Sequence, residues 1–188
     1  AIKIARPSSD RGNVFDDLIR QEAELLTELR HPGIVRIYPM ESARKDPIYF
    51  DRAVGLPNKP SYLVMEYLSG RTLAQQRAKI NRFPLEWRIE LFYQLLTIVD
   101  YLHLREYAHC DLKPENIILR YEPEEDIVPS VVLIDFGTAS KADQLTNDPA
   151  GTKPYVAPEV QSVMSGQTSR STVVPEKADV LSLGVLFF

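Results

Sequence analysis

One cysteine, no apolar run of membrane length and no strong excess of either charge sign: these absences narrow the reading first. A single thiol, Cys110, cannot close an intrachain disulfide, so a reducing compartment, the cytoplasm, is expected. The longest apolar run, Val180 to Phe188, is interrupted by Ser182 and Gly184 and is too short for a bilayer, so no membrane segment is expected in this chain. A net charge of -4, from 22 basic and 26 acidic residues, gives no reason to expect a nucleic-acid partner. Internal repeats and low-complexity tracts are also missing. The chain opens at Ala1 without a Met and closes inside an apolar segment, so both ends are expected to be cut.

What is present suits a folded protein with one sizeable core or two small ones: 188 residues, 44% hydrophobic and 26% charged. Ala1-Ile2-Lys3-Ile4-Ala5 alternates with period two and predicts a strand with Lys3 on the face of two alanines, where small neighbours leave room beside it. Phe15, Leu18, Ile19, Glu22, Leu26 and Leu29 fall at helical spacing, so Glu22 lies inside an apolar stripe. A carboxylate there either snorkels past the stripe edge or meets Lys3 in a partly buried ion pair. His31-Pro32-Gly33 ends that helix, and Ile34 to Tyr38 resumes an extended pattern. Pro39 to Ser61 holds four of the fourteen prolines and reads as an irregular insertion between strands.

Tyr62 to Met65 predicts a buried strand, and Glu66 to Gly70 a connector that divides residues 1–68 from 69–188. Pro84 opens a long helix at its first turn, with Leu85, Ile89, Phe92, Leu95, Leu96, Val99 and Leu102 as its apolar positions. Ile117 to Leu119 and Val131 to Ile134 predict two short strands joined by a loop bearing Glu122, Glu124, Glu125 and Asp126, a solvated hairpin tip.

The chemistry gathers at the ends of that hairpin. His109-Cys110-Asp111-Leu112-Lys113-Pro114-Glu115-Asn116 precedes its first strand, and Ile134-Asp135-Phe136-Gly137 follows its second. Carboxylate and amide oxygens of this kind suit Mg²⁺, which binds through one or two carboxylates plus substrate phosphates. Phosphoryl transfer needs a metal and lysines against phosphate charge, plus a carboxylate to accept the attacking hydroxyl's proton. Each motif alone is weak. In this order, with Gly151-Thr152-Lys153-Pro154-Tyr155-Val156-Ala157-Pro158-Glu159 downstream, coincidence is improbable.

The chain at this point resembles the eukaryotic-type protein kinases over nearly its whole length. The resemblance implies an α+β, two-lobe kinase fold, with a partial N-lobe and hinge in 1–68 and a partial C-lobe in 69–188. It implies ATP and Mg²⁺ as cofactors and a protein substrate with a Ser or Thr acceptor. Lys3 matches the lysine that holds the α- and β-phosphates, and Glu22 its helix partner. Ala1, Met65, Glu66, Leu68 and Ile118 fall where the family lines its nucleotide, Met65 as gatekeeper and Glu66 to Leu68 as hinge. Asp111 is implied as the base, Lys113 as the γ-phosphate contact, Asn116 and Asp135 as metal ligands, and Asp179 as the aspartate that fixes the catalytic-loop backbone. Lys113 and Thr152 resemble the serine/threonine form, Thr152 by bonding the catalytic Asp and Lys.

Two departures from the family qualify this. Its first two strands and glycine-rich loop, and its helices after the Asp179 helix, are expected to be missing, so this segment alone is expected to turn over poorly. Cys110 stands where many kinases carry an arginine that grips a phosphate on the activation segment. A pseudokinase or scaffold is the alternative without catalysis. A small-molecule kinase would share the Asp-x-x-x-x-Asn loop but is not expected to carry the Gly-Thr to Pro-Glu motif.

Overall fold

The computed structural model describes residues 1–6, 14–41, 46–120, 127–141, 155–167, 169 and 173–187. Their contacts divide the chain into two compact units: Ala1–Tyr67 with Asp135–Gly137, and Leu68–Ile134 with Thr138–Phe188.

In the first unit, strand β1 (Ile2–Ile4) and strand β2 (Phe50–Arg52) flank strand β3 (Ser61–Val64), both antiparallel to it. Lys3 pairs with Leu63, which is fully buried, while Ile2 and Ile4 face outward at 63% and 45% exposure. The inner face of β1 is thus the one that carries Lys3 and the buried Ala5. Helix α1 (Val14–Glu28) packs on β3 and β2. It buries Ile19, Glu22, Ala23, Leu25 and Leu26, a stripe at helical spacing with a carboxylate inside it.

The described residues between Pro39 and Ser61 are more regular than expected. They contribute β2, and Met40 bridges to Ile48. Ile34 to Tyr38 is less ladder-like than its pattern suggests: Ile34, Val35 and Ile37 are buried, and the stretch meets residues 64–66 through the isolated Ile37 to Met65 bridge, with Tyr38 N–H donating to the Val64 carbonyl and Glu66 N–H to the Arg36 carbonyl at 2.9 and 2.8 Å.

In the second unit, strands β4 (Gly70–Thr72), β6 (Ile117–Arg120) and β7 (Ser130–Leu133) form one antiparallel sheet, and β5 (Tyr107–Ala108) pairs with β8 (Ser140–Lys141). Gly70 is required where β4 meets β6, since a Cβ there would lie 2.3 Å from the Leu119 carbonyl oxygen. Helix α2 (Leu73–Ile80) starts with a capping box: Thr72 Oγ1 accepts the Gln75 N–H at 3.2 Å, and Gln75 Oε1 accepts the Thr72 N–H at 3.1 Å.

Helix α3 (Leu85–His103) has Pro84 at its N-cap, one position earlier than the first-turn place expected. Its buried face is Leu91, Leu95, Ile98, Val99 and Leu102, against β7, β5 and the last helix. Leu85, Ile89 and Leu96, assigned to that face from spacing, are exposed. The helix has apolar residues on more than one side, so spacing alone admits two stripes and packing selects one. Helix α4 (Pro158–Met164) and helix α5 (Pro175–Phe187) complete the unit, with Val156, Ala157, Val160, Val173 and Ala178 in a shared cluster. Among the described residues no helix is long and apolar enough to cross a membrane.

Candidate active site

Lys3 is the centre of the first unit's charges. Its Nζ lies 2.5 Å from Glu22 Oε2 and 2.7 Å from Asp135 Oδ1. Glu22 is almost wholly buried, and its second oxygen accepts the Phe136 backbone N–H at 3.1 Å. The open choice for Glu22 therefore resolves as an ion pair. Burial pushes the Glu22 carboxyl above its ordinary range despite Lys3. Burial acts to lower Lys3, but the Glu22 and Asp135 carboxylates outweigh it and hold the ammonium above its usual value. Asp135 adopts a left-handed φ of 64°, a conformation that costs a non-glycine residue about 1 kcal/mol.

The second unit holds a separate constellation. Asp111 Oδ2 takes the Lys113 ammonium at 2.5 Å and the Asn116 amide N–H at 3.1 Å. The same amide nitrogen donates to the Asp111 carbonyl at 2.9 Å. Two acceptors thus fix which end of the Asn116 amide faces Asp111, and its oxygen is turned away.

What holds this loop is a buried carboxylate on α5. Asp179, at 0% exposure, accepts the His109 N–H at 2.8 Å and the Cys110 N–H at 2.9 Å. His103, the last residue of α3, brings its Nε2 to 3.1 Å from Asp179 Oδ2. This third partner was not singled out from the sequence. A histidine at a helix end gives no pattern beyond its place in the last turn.

The Asp111 N–H points at His109 Nδ1 at 3.3 Å, so that nitrogen is the acceptor and Nε2 carries the proton donated to the Ile134 carbonyl at 3.2 Å. Thr138 Oγ1 adds a bond to the His109 carbonyl at 3.2 Å. Cys110, at a left-handed φ of 64°, sets its Sγ 3.4 Å from Ser140 Oγ and 3.7 Å from the Ala108 carbonyl oxygen. Burial, with the Asp179 charge behind it, pushes that thiol up to about 12. It is a packed neutral group.

Of the other expected residues, Ala1 and Met65 face each other across the strands, Met65 N–H donating to the Ala1 carbonyl at 2.9 Å. Glu66 Oε1 accepts the Arg36 N–H at 2.8 Å. Leu68 and Ile118, both half-buried, belong to the second unit. Thr152 and the acidic residues 122–126 lie outside the described residues.

The geometry places a carboxylate beside a lysine twice, once in each unit, on the motif residues of a phosphoryl-transfer enzyme. A sequence model of the protein kinase domain matches residues 1–188. The chain belongs to the protein kinase domain family. This kinase domain is 35% identical over 175 residues to the CBL-interacting serine/threonine-protein kinase 18 of Arabidopsis thaliana, covering 90% of this chain and 28% of that protein. It is 33% identical over 187 residues to the putative ribosomal protein S6 kinase alpha-2 of Caenorhabditis elegans, covering 93% and 22%. It is 28% identical over 192 residues to the serine/threonine-protein kinase PrkC of Bacillus subtilis, covering 100% and 25%. The chain thus spans less than a third of each of these relatives.

A kinase domain works with ATP and a divalent metal, and the donors here fit both in kind. Lys3 with Glu22 and Asp135 sums to one negative charge, a cluster that gains by taking up a cation. Asp135 is about half exposed, at 48% of its side chain, and Asn116 presents its amide oxygen away from Asp111.

Proposed function

We propose that the protein is a serine/threonine protein kinase, with residues 1–68 as its nucleotide-side lobe and 69–188 as its catalytic lobe. The pairing of Asp111 with both Lys113 and Asn116 carries this reading, because a lone loop aspartate would lack the neighbours that phosphoryl transfer needs. Mg²⁺ would be held by Asp135 and Asn116, and would draw the phosphate charge off the leaving oxygen.

Lys3 orients the phosphates, and Glu22 keeps its ammonium in place. Ala1, Met65, Glu66, Leu68 and Ile118 line the adenine. Asp111 accepts the proton of the attacking hydroxyl, Lys113 faces the transferred phosphate, and Thr152 bonds the Asp and Lys of the loop. The relatives' names support Ser and Thr hydroxyls of proteins as acceptors. A single cysteine in 188 residues, which leaves no partner for an intrachain disulfide, supports the reducing cytoplasm as its location.

The test is transfer of the ATP γ-phosphate to a mixed protein substrate by the full-length protein, followed by identification of the phosphorylated residues. Phosphoserine and phosphothreonine are expected. No transfer with any divalent metal favours the scaffold, and phosphotyrosine alone refutes the acceptor class.

A further inference from the structure

Helix α1 carries Glu22, and one carboxylate near its start ties it to the sheet. Asp16 Oδ1 accepts the backbone N–H of Ser61, the first residue of β3, at 2.6 Å. Asp16 Oδ2 accepts Arg52 Nη1, from the last residue of β2, at 2.8 Å. The same Arg52 nitrogen donates to the Lys59 carbonyl at 3.2 Å, so the guanidinium also closes the loop between the two strands. That loop is held internally by Ala53 N–H to the Pro60 carbonyl and Lys59 N–H to the Leu56 carbonyl, at 2.9 and 3.1 Å.

An exposed ion pair by itself stabilises little. Here the carboxylate is the sheltered partner, at 15% side-chain exposure against 45% for Arg52. Ser61 is buried at 5%, so without Asp16 its N–H would lose its acceptor where water reaches poorly. Burial acts to raise the Asp16 carboxyl, but the Ser61 N–H and Arg52 more than offset it and hold it below its ordinary 3.8. Asp16 also stands in the first turn of α1, where negative charge complements the helix dipole. Six residues of helix, about 9 Å, separate Asp16 from Glu22, so a shift at the tether is carried along a stiff rod to the Lys3 partner.

We propose that Asp16 is a positioning residue, one that uses Ser61 and the Arg52 of the 39–61 insertion to hold α1 where Glu22 meets Lys3. Its kinetic consequence rests on the kinase reading above; its structural consequence does not.

The experiment uses the full-length protein, four single variants and one double variant. Asp16→Asn keeps an oxygen for the Ser61 N–H and removes the charge facing Arg52, Asp16→Ala removes both, Arg52→Ala removes the guanidinium, and Asp16→Glu restores the charge. Amide hydrogen exchange over residues 14–28 reads the tether whatever the chemistry. Asp16→Ala should speed it about fivefold or more, and Asp16→Asn and Arg52→Ala less and similarly. The Asp16→Asn/Arg52→Ala double variant should be no faster than either single one.

With phosphotransfer as the second readout, kcat should fall in the same order while KM for ATP changes less, and Asp16→Glu should recover much of it. If Asp16→Ala does not fold, the Asn, Arg52 and double variants carry the comparison. Exchange in α1 that matches wild type in every folded variant overturns the proposal, as does a fall in kcat with α1 exchange unchanged. A wild-type protein that transfers no phosphate removes the kinase reading, while the exchange order still decides whether Asp16 holds α1.

Discussion

Lys3 sits between two carboxylates of different standing: Glu22 is buried and also bonded to the Phe136 N–H, whereas Asp135 is half exposed. Replacing Lys3 by Met would leave Glu22 facing an apolar side chain, and the carboxyl would take up a proton in response. In the full-length protein, Lys3→Met should abolish measurable phosphotransfer while costing only about 1–3 kcal/mol of stability. Activity near wild type would remove Lys3 from the phosphate-binding role. Because the folded ammonium is held above its ordinary 10.5, the stability it contributes is full below that pH and is lost as pH rises through the folded value.

Cys110 follows the same sign. Its folded thiol titrates near 12 against an ordinary 9.0, so the unfolded chain releases its proton first and stability falls across that interval. At pH 8 the folded protein should therefore resist iodoacetamide at Cys110, and the unfolded protein should not. Mass spectrometry of the alkylated peptide measures this, and equal labelling in both states would contradict the packed, neutral thiol.

At the scale of elements, the anchoring of the His109–Asp111 loop by α5 makes the sharpest demand. Asp179 accepts two backbone N–H groups and faces His103, so Asp179→Ala orphans buried donors and should destabilise the fold by about 2–4 kcal/mol. Asp179→Asn keeps an oxygen and should lose less. A chemical-denaturation midpoint unchanged in the alanine variant would show that the loop does not depend on this carboxylate.

The long periodic helices α1 and α3 were legible in the sequence because their apolar positions repeat over fifteen and nineteen residues. Strands β2 and β4, three residues each, carry too little periodicity to separate from the loops around them. Helix α2 is short and shows no apolar repeat, and its signal in the sequence is Thr72 and Gln75 at capping-box spacing, which needs no periodicity. Which side of α3 is buried depended on β5, β7 and α5, none of which its own spacing encodes.

For the whole molecule, the motif residues were legible as types and spacing, but their partners were legible only where a motif named both. Glu22 with Lys3 was one such case. Asp16 with Ser61, forty-five residues apart, was not, because neither belongs to a repeating pattern. On the proposed function, the two charge clusters call for different losses in the full-length protein. Asp135→Asn removes the charge expected to meet the metal and should weaken metal-dependent ATP binding. Asp111→Asn keeps an oxygen for Lys113 and should leave ATP binding largely intact while lowering kcat by about a hundredfold or more. Equal weakening of ATP binding by both would mean the roles are misassigned.

Under the proposed kinase reading, control of the full-length protein would turn on what the loop at residues 109–116 offers an incoming phosphate. An arginine beside Asp111 could grip one by charge-assisted bonds, but Cys110 presents a neutral thiol already set against Ser140 Oγ and the Ala108 carbonyl. Asp148 stands three residues before Gly151, where related kinases often carry a phosphorylated threonine, and an aspartate cannot accept that group. Both departures remove the same device, so ordering of residues 135–159 should not depend on a phosphate gripped at this position. Phosphatase treatment of the full-length protein should leave its activity within about twofold of the untreated enzyme, with mass spectrometry confirming that the segment is unmodified. Ser140 is buried at 4%, which withdraws it as a phosphate acceptor, while Thr138, Thr146 and Thr152 remain hydroxyls that could carry one. A large loss of activity that tracks removal of phosphate from Thr146 or Thr152 would show that another cation has taken over the arginine's task.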